Sequence, residues 1–66
     1  MKSMIDVYAL LKSFGTYIYT RDRAGDLALI EDELKELYNA RMIEVKDYQT
    51  AILIIRQEAT KLKKSN

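Results

Sequence analysis

Apolar residues recur at three-and-four spacing in three stretches of this chain, separated by polar or glycine-containing breaks. In the first stretch Ile5, Tyr8 and Leu11 form a stripe that Val7 and Leu10 widen. Ser3 to Asp6 reads as a capping box before it, with a hydroxyl for an early backbone donor and a carboxylate at the positive end of the helix dipole. Gly15 supplies the left-handed residue that commonly ends a helix, so a helix over about 4–14 is expected. Leu27, Ile30, Leu34, Leu37 and Tyr38 mark a second helix over about 22–40, capped by Asp22 or by Thr20. Gly25 in its first turn costs about 1 kcal/mol relative to alanine, which implies a frayed start or a close approach by another part of the chain. Met42 and Ile43 fall in a turn. Beyond it Val45, Tyr48, Ile52, Ile55, Ala59 and Leu62 carry a third helix over about 45–63. Ala51 and Ile54 broaden that stripe, as a helix touching two neighbours requires. The expected fold class is therefore all-α, one compact three-helix bundle over residues 1–66, centred on Leu11, Ile30, Leu34, Leu37, Ile52 and Ile55.

Thr16 to Thr20 contains three β-branched residues and alternates loosely, but the chain offers no second run to pair with it. It is expected to be an ordered connector, exposed at one end of the bundle. Sixty-six residues permit one modest core, and 48% apolar residues argue against disorder. Cysteine and histidine are both absent, which removes disulfides, thiol chemistry and the usual zinc ligands. Cysteine-free composition fits a reducing cytoplasm. No apolar run approaches the roughly 20 residues of a membrane span, so neither export nor membrane insertion is expected.

A net charge of +1 conceals an uneven distribution. Residues 21–40 hold three basic and six acidic side chains, and residues 41–66 hold six basic and three acidic. Glu31, Asp32, Glu33 and Glu36 diverge around their helix too widely to form a metal cage, so they read as a solvated face in which Glu31 pairs with Lys35. Tyr38 and Tyr48 flank the second turn and are expected to seal that end of the bundle. Met1, Met4, Met42 and Ile43 are candidates for an apolar patch that meets a protein partner.

The segment from Asp6 through Val7, Leu10, Leu11, Lys12, Gly15, Thr16, Ile18, Tyr19, Thr20, Asp22 and Arg23, followed by Ile30-Glu-Asp-Glu-Leu-x-Glu-Leu-Tyr38 and Tyr48-Gln-Thr-Ala-Ile52, resembles the YqgQ-like family of small bacterial proteins. Gly15-Thr16, Ile18-Tyr-Thr20 and Asp22-Arg23 are the most specific part of the likeness. The resemblance implies a cytoplasmic three-helix protein of Gram-positive bacteria and implies no particular activity. At Arg21, where the resemblance leads one to expect glycine, this chain adds positive charge, which argues against a left-handed backbone there.

Among chemically informative residues, Tyr17, Tyr19, Arg21 and Arg23, joined by Lys12, offer rings for stacking on bases and cations for phosphates. Arg21 and Arg23 would stand beside the amino-terminal end of the second helix, which itself favours an anion. The same residues have structural roles open to them: Ile18 or Tyr19 closing the bundle end, Arg23 pairing with Asp26, and Asp22 capping. The expected function is a small non-catalytic binding module for single-stranded nucleic acid, RNA foremost, without cofactor or metal. The alternative is a protein-interaction adaptor or homodimerising module, and a monomer or weak homo-oligomer is expected in either case.

Overall fold

The computed structural model describes residues 1–64, with side chains through Lys63. Its three helices, α1 (Met4–Ser13), α2 (Arg23–Asn39) and α3 (Val45–Lys64), begin and end within a single residue of the positions the apolar spacing predicts. Asp6 secures the start of α1, accepting backbone N–H bonds from Lys2 at 2.7 Å and Ser3 at 3.3 Å. Its end is a Schellman closure. Thr16 donates to the Leu11 carbonyl at 3.0 Å and Gly15 to the Lys12 carbonyl at 2.9 Å, with Gly15 at φ 81°. The end of α2 repeats that closure, with Met42 donating to Leu37 and Arg41 to Tyr38, both at 2.9 Å, but an arginine occupies the left-handed position at φ 61°.

α3 packs against both α2 and α1, as a helix with a broad apolar stripe must. Met4, Val7 and Leu11 from α1, Leu27, Ile30, Leu34 and Leu37 from α2, and Ala51 and Ile55 from α3 make the core. Ile43, expected in a turn and as part of an apolar patch with Met1, Met4 and Met42, is instead buried with them, as Met4 is, and plugs the α2–α3 end, so only Met1 and Met42 of that patch are exposed. Beside it the Tyr38 and Tyr48 rings stack, 4.5 Å apart and 8° from parallel, so that end is sealed as expected.

Three apolar positions depart from the predicted stripes. Ile5 is 78% exposed, because α1 is turned so that Met4, Val7 and Leu11 face inward. Ile5 lies seven residues from Lys12, nearly the same direction around a helix, so burying Ile5 would draw Lys12 toward the core. Val45 is likewise exposed, and Ile52 is only half-buried, leaving Ala51 and Ile55 at the centre of α3; Leu53, outside the predicted stripe, is exposed.

α1 covers only one end of the α2–α3 pair. Asp6 and Leu10 border the same surface depression as Asp47 in the first turn of α3, whereas Thr16 meets Glu33 midway along α2. From that point the chain runs back along α2 to its amino-terminal end. The first leg of the bundle is thus half helix and half extended strap.

Candidate functional site: a strap pinned along helix α2

The strap, Thr16 to Thr20, is held at both ends by α2. The Thr16 hydroxyl donates to Glu33 Oε1 at 3.2 Å. Thr20 donates to Asp26 Oδ1 twice, from its backbone N–H at 2.9 Å and from its hydroxyl at 2.5 Å. The step from Asp26 to Glu33 rises about 10 Å along a helix, while Thr16 to Thr20 covers about 13 Å when extended and only about 6 Å when helical. A near-extended chain spans that step, and the alternating exposure of residues 16–19 fits it. Extended backbone sends alternate side chains to opposite sides: Ile18 turns inward and is half-buried against the core, while Tyr17 and Tyr19 turn outward and are 78% and 65% exposed.

The expectation that this connector sits at one end of the bundle therefore needs correction, since it lies along the flank of α2. The reason is Asp26, which is 2% exposed and is the sole polar member among the buried residues described. A carboxylate there requires donors, and the strap supplies them. Arg23, expected as its partner, instead reaches Glu58 on α3 at 3.5 Å. Glu31 likewise pairs across to Arg56 at 3.8 Å rather than along its own helix with Lys35.

Arg21 follows the strap with φ 68°, a left-handed backbone that its side chain was expected to disfavour. The local geometry imposes it: the chain must reverse between the Thr20–Asp26 anchor and Asp22, whose carbonyl accepts the Asp26 N–H at 2.8 Å. Asp22 occupies the N-cap position with extended backbone but makes no side-chain cap bond. Its carboxylate stands over Gly25, where an alanine Cβ would come within 2.8 Å of Oδ2, so the glycine answers a close approach.

These placements sort the five candidate residues. Tyr17, Tyr19 and Arg21 share one exposed segment, and Lys12, exposed in the last turn of α1, stands at its beginning. Arg23 is committed to α3. Asp22 and Asp26 crowd the amino-terminal end of α2, so that end is a poorer seat for phosphate than the sequence implied. Leu29, 48% exposed, lies three residues after Asp26 and four before Glu33, on the α2 flank that the strap follows. Periodicity read only for buried positions overlooked it. The buried Asp26 had a legible signal, for it stands four residues before Ile30 on the same side of α2 as the apolar stripe.

Among the described residues no group of three or more acidic side chains comes together in a way that could hold a metal ion. No helix among them is long and apolar enough to cross a membrane. The family model described as YqgQ-like matches residues 1–61. A Bacillus subtilis (strain 168) relative, "Uncharacterized protein YqgQ", is 40% identical over 63 residues, covering 96% of this chain and 89% of the relative. With a family match across nearly its whole length and a relative this similar, the chain belongs to the YqgQ-like family.

Proposed function

We propose that this protein is a non-catalytic cytoplasmic module that binds single-stranded nucleic acid, RNA foremost, on the outer side of the strap. The observation that carries the reading is the outward pair Tyr17 and Tyr19 on a segment pinned at both ends, since rings held in place lose little freedom when a base stacks on them. Base–ring stacking contributes about 1–3 kcal/mol per base. Lys12 and Arg21 flank the rings and supply the phosphate contacts; Arg23 does not, because it faces Glu58. With two phosphates neutralised, the logarithm of affinity should fall with the logarithm of salt at a slope of roughly −1.4.

Fluorescence anisotropy with labelled oligo-uridine, beside a duplex control, tests the proposal. Lys12→Glu combined with Arg21→Glu should abolish the signal with helical circular dichroism intact, and Arg23→Ala should leave it nearly unchanged. Absence of binding to oligo-uridine at low salt and high protein concentration sinks the reading.

One observation favours the adaptor alternative. Between α2 and α3 lies a cleft of about 490 Å³ lined by Leu27, Ala28, Ile55, Ala59 and Leu62 and edged by Glu31 and Arg56. An apolar partner seated there would tolerate salt, whereas nucleic acid on the strap would not.

A further inference from the structure

In an extended chain the N–H and C=O of one residue point to one edge and those of the next residue to the other. The Thr16 N–H is taken by the Leu11 carbonyl and the Thr20 N–H by Asp26, so the edge of the even-numbered residues is the one the anchors use, at right angles to the inward turn of Ile18. Tyr17 and Tyr19 therefore present their backbone groups on the opposite edge, the outer one with respect to those anchors. Among the described residues the backbone of Tyr17, Ile18 and Tyr19 makes no hydrogen bond at all. Proteins ordinarily guard such an edge with proline, charge or a bulge. This chain has no proline, and residues 16–20 carry no charge.

We propose that the strap pairs antiparallel with the strap of a second copy about a two-fold axis through Ile18, and that the paired straps form the complete nucleic-acid platform. Centring on Ile18 sets Tyr17 opposite Tyr19 of the other copy and Tyr19 opposite its Tyr17. Each such pair exchanges both of its backbone bonds, while Ile18 faces Ile18 at the non-bonded position about 4.5 Å away. The register uses the outer edge alone, the one that the anchors leave open. It sets Tyr17 and Tyr19 side by side across the axis on one face, at the spacing where cross-strand aromatic pairs stabilise a sheet. Leu29, exposed on α2 between the two anchors, gains cover from the neighbouring copy.

One copy offers two outward rings flanked by Lys12 and Arg21, which is a small footprint. Pairing doubles rings and cations on a single face, so the inference deepens the nucleic-acid reading and rests on it for its purpose, though the edge geometry stands by itself. So short a ribbon gives a weak dimer, which nucleic acid should strengthen by spanning both copies.

Sedimentation equilibrium from micromolar to millimolar protein, with amide exchange read at both extremes, tests the pairing. The expected result is a mass that rises toward that of the dimer, with Tyr17 and Tyr19 amides gaining protection and Ile18 not, a two-residue period that no side-chain interface would produce. Tyr17→Pro, which removes a donor, should hold the protein monomeric, whereas Tyr17→Val, which keeps it, should still pair. A monomer at millimolar concentration overturns the inference, as does a dimer whose Tyr17 and Tyr19 amides exchange as freely as in the monomer. Oligo-uridine titrated in parallel separates the two ideas: binding to a monomer removes the pairing and keeps the nucleic-acid reading. Pairing without any binding supports the edge contact and removes the nucleic-acid reading together with the platform.

Discussion

The end of the bundle covered by α1 and the end covered by the strap solve the same problem with different chain geometry. At the α1 end, a helix contributes Met4, Val7 and Leu11 to the buried cluster and packs on α3, and apolar packing holds it down. At the strap end, an extended segment can turn only every second side chain inward, so Ile18 packs while threonine hydroxyls and a buried carboxylate do the rest. The same arithmetic leaves Tyr17 and Tyr19 without a structural task. A third helix running the full length would have hidden one side of that surface; the strap leaves it in solvent.

The largest expected effect tests the α1 end. Leu34→Ala removes a fully buried side chain and should cost about 2–5 kcal/mol in urea unfolding, enough to threaten a domain of this size. Ile52→Ala, at a half-buried position, should cost about 1–2 kcal/mol. If the two variants unfold at the same midpoint, the core is not centred where Leu34 places it.

Asp26→Ala aims at the strap end. It strips the Thr20 N–H and hydroxyl of their acceptor and should cost about 1–3 kcal/mol. The amide of Thr20 should exchange much faster, while amides in α1 and around the Tyr38–Tyr48 stack stay protected. Uniform loss of protection across both ends would show that the strap is not a separately held element.

The contrast also explains what could be read from the sequence. Helix positions followed from apolar spacing, because Leu27, Ile30, Leu34 and Leu37 admit one inward side. In α1 two overlapping stripes compete, Ile5-Tyr8-Leu11 and Met4-Val7-Leu11, and the choice depends on keeping Lys12 wet, which spacing alone does not weigh. The rings of Tyr17 and Tyr19 and the cations of Lys12 and Arg21 were visible as types, and all four are exposed. The course of the strap was hidden because it depends on Thr20 and Asp26 meeting across a reversal at Arg21, a tertiary contact with no periodic signature.

Two arginines in left-handed backbone, one at each end, offer a matched comparison. Arg21 at φ 68° closes the strap and Arg41 at φ 61° closes α2. Left-handed backbone costs a non-glycine residue about 1–2 kcal/mol, and glycine returns part of that through its greater freedom in the unfolded chain. Arg21→Gly and Arg41→Gly should therefore each stabilise by about 0.5–1 kcal/mol in thermal or urea unfolding. A loss at Arg21 with a gain at Arg41 would mean that the Arg21 side chain holds the strap in a way its backbone does not reveal.

The smallest expected effect concerns acid. The backbone N–H of Lys2 beside the Asp6 carboxylate, helped by that of Ser3, holds its pKa below the usual 3.8. Because the folded value is depressed, the contribution of the cap is fully present above the unfolded carboxylate range and fades as pH falls through 3.8 toward the folded value. Asp6 is exposed enough that the effect is confined to the first turn of α1, so acid should loosen Lys2, Ser3 and that turn before the remainder of the α1 end. Asp6→Asn should remove the dependence: the stability difference between parent and variant should be larger near neutrality than below pH 3.8. Equal differences at both pH values would leave the carboxylate with no charge-dependent role and assign the start of α1 to apolar packing of Met4 and Val7 alone.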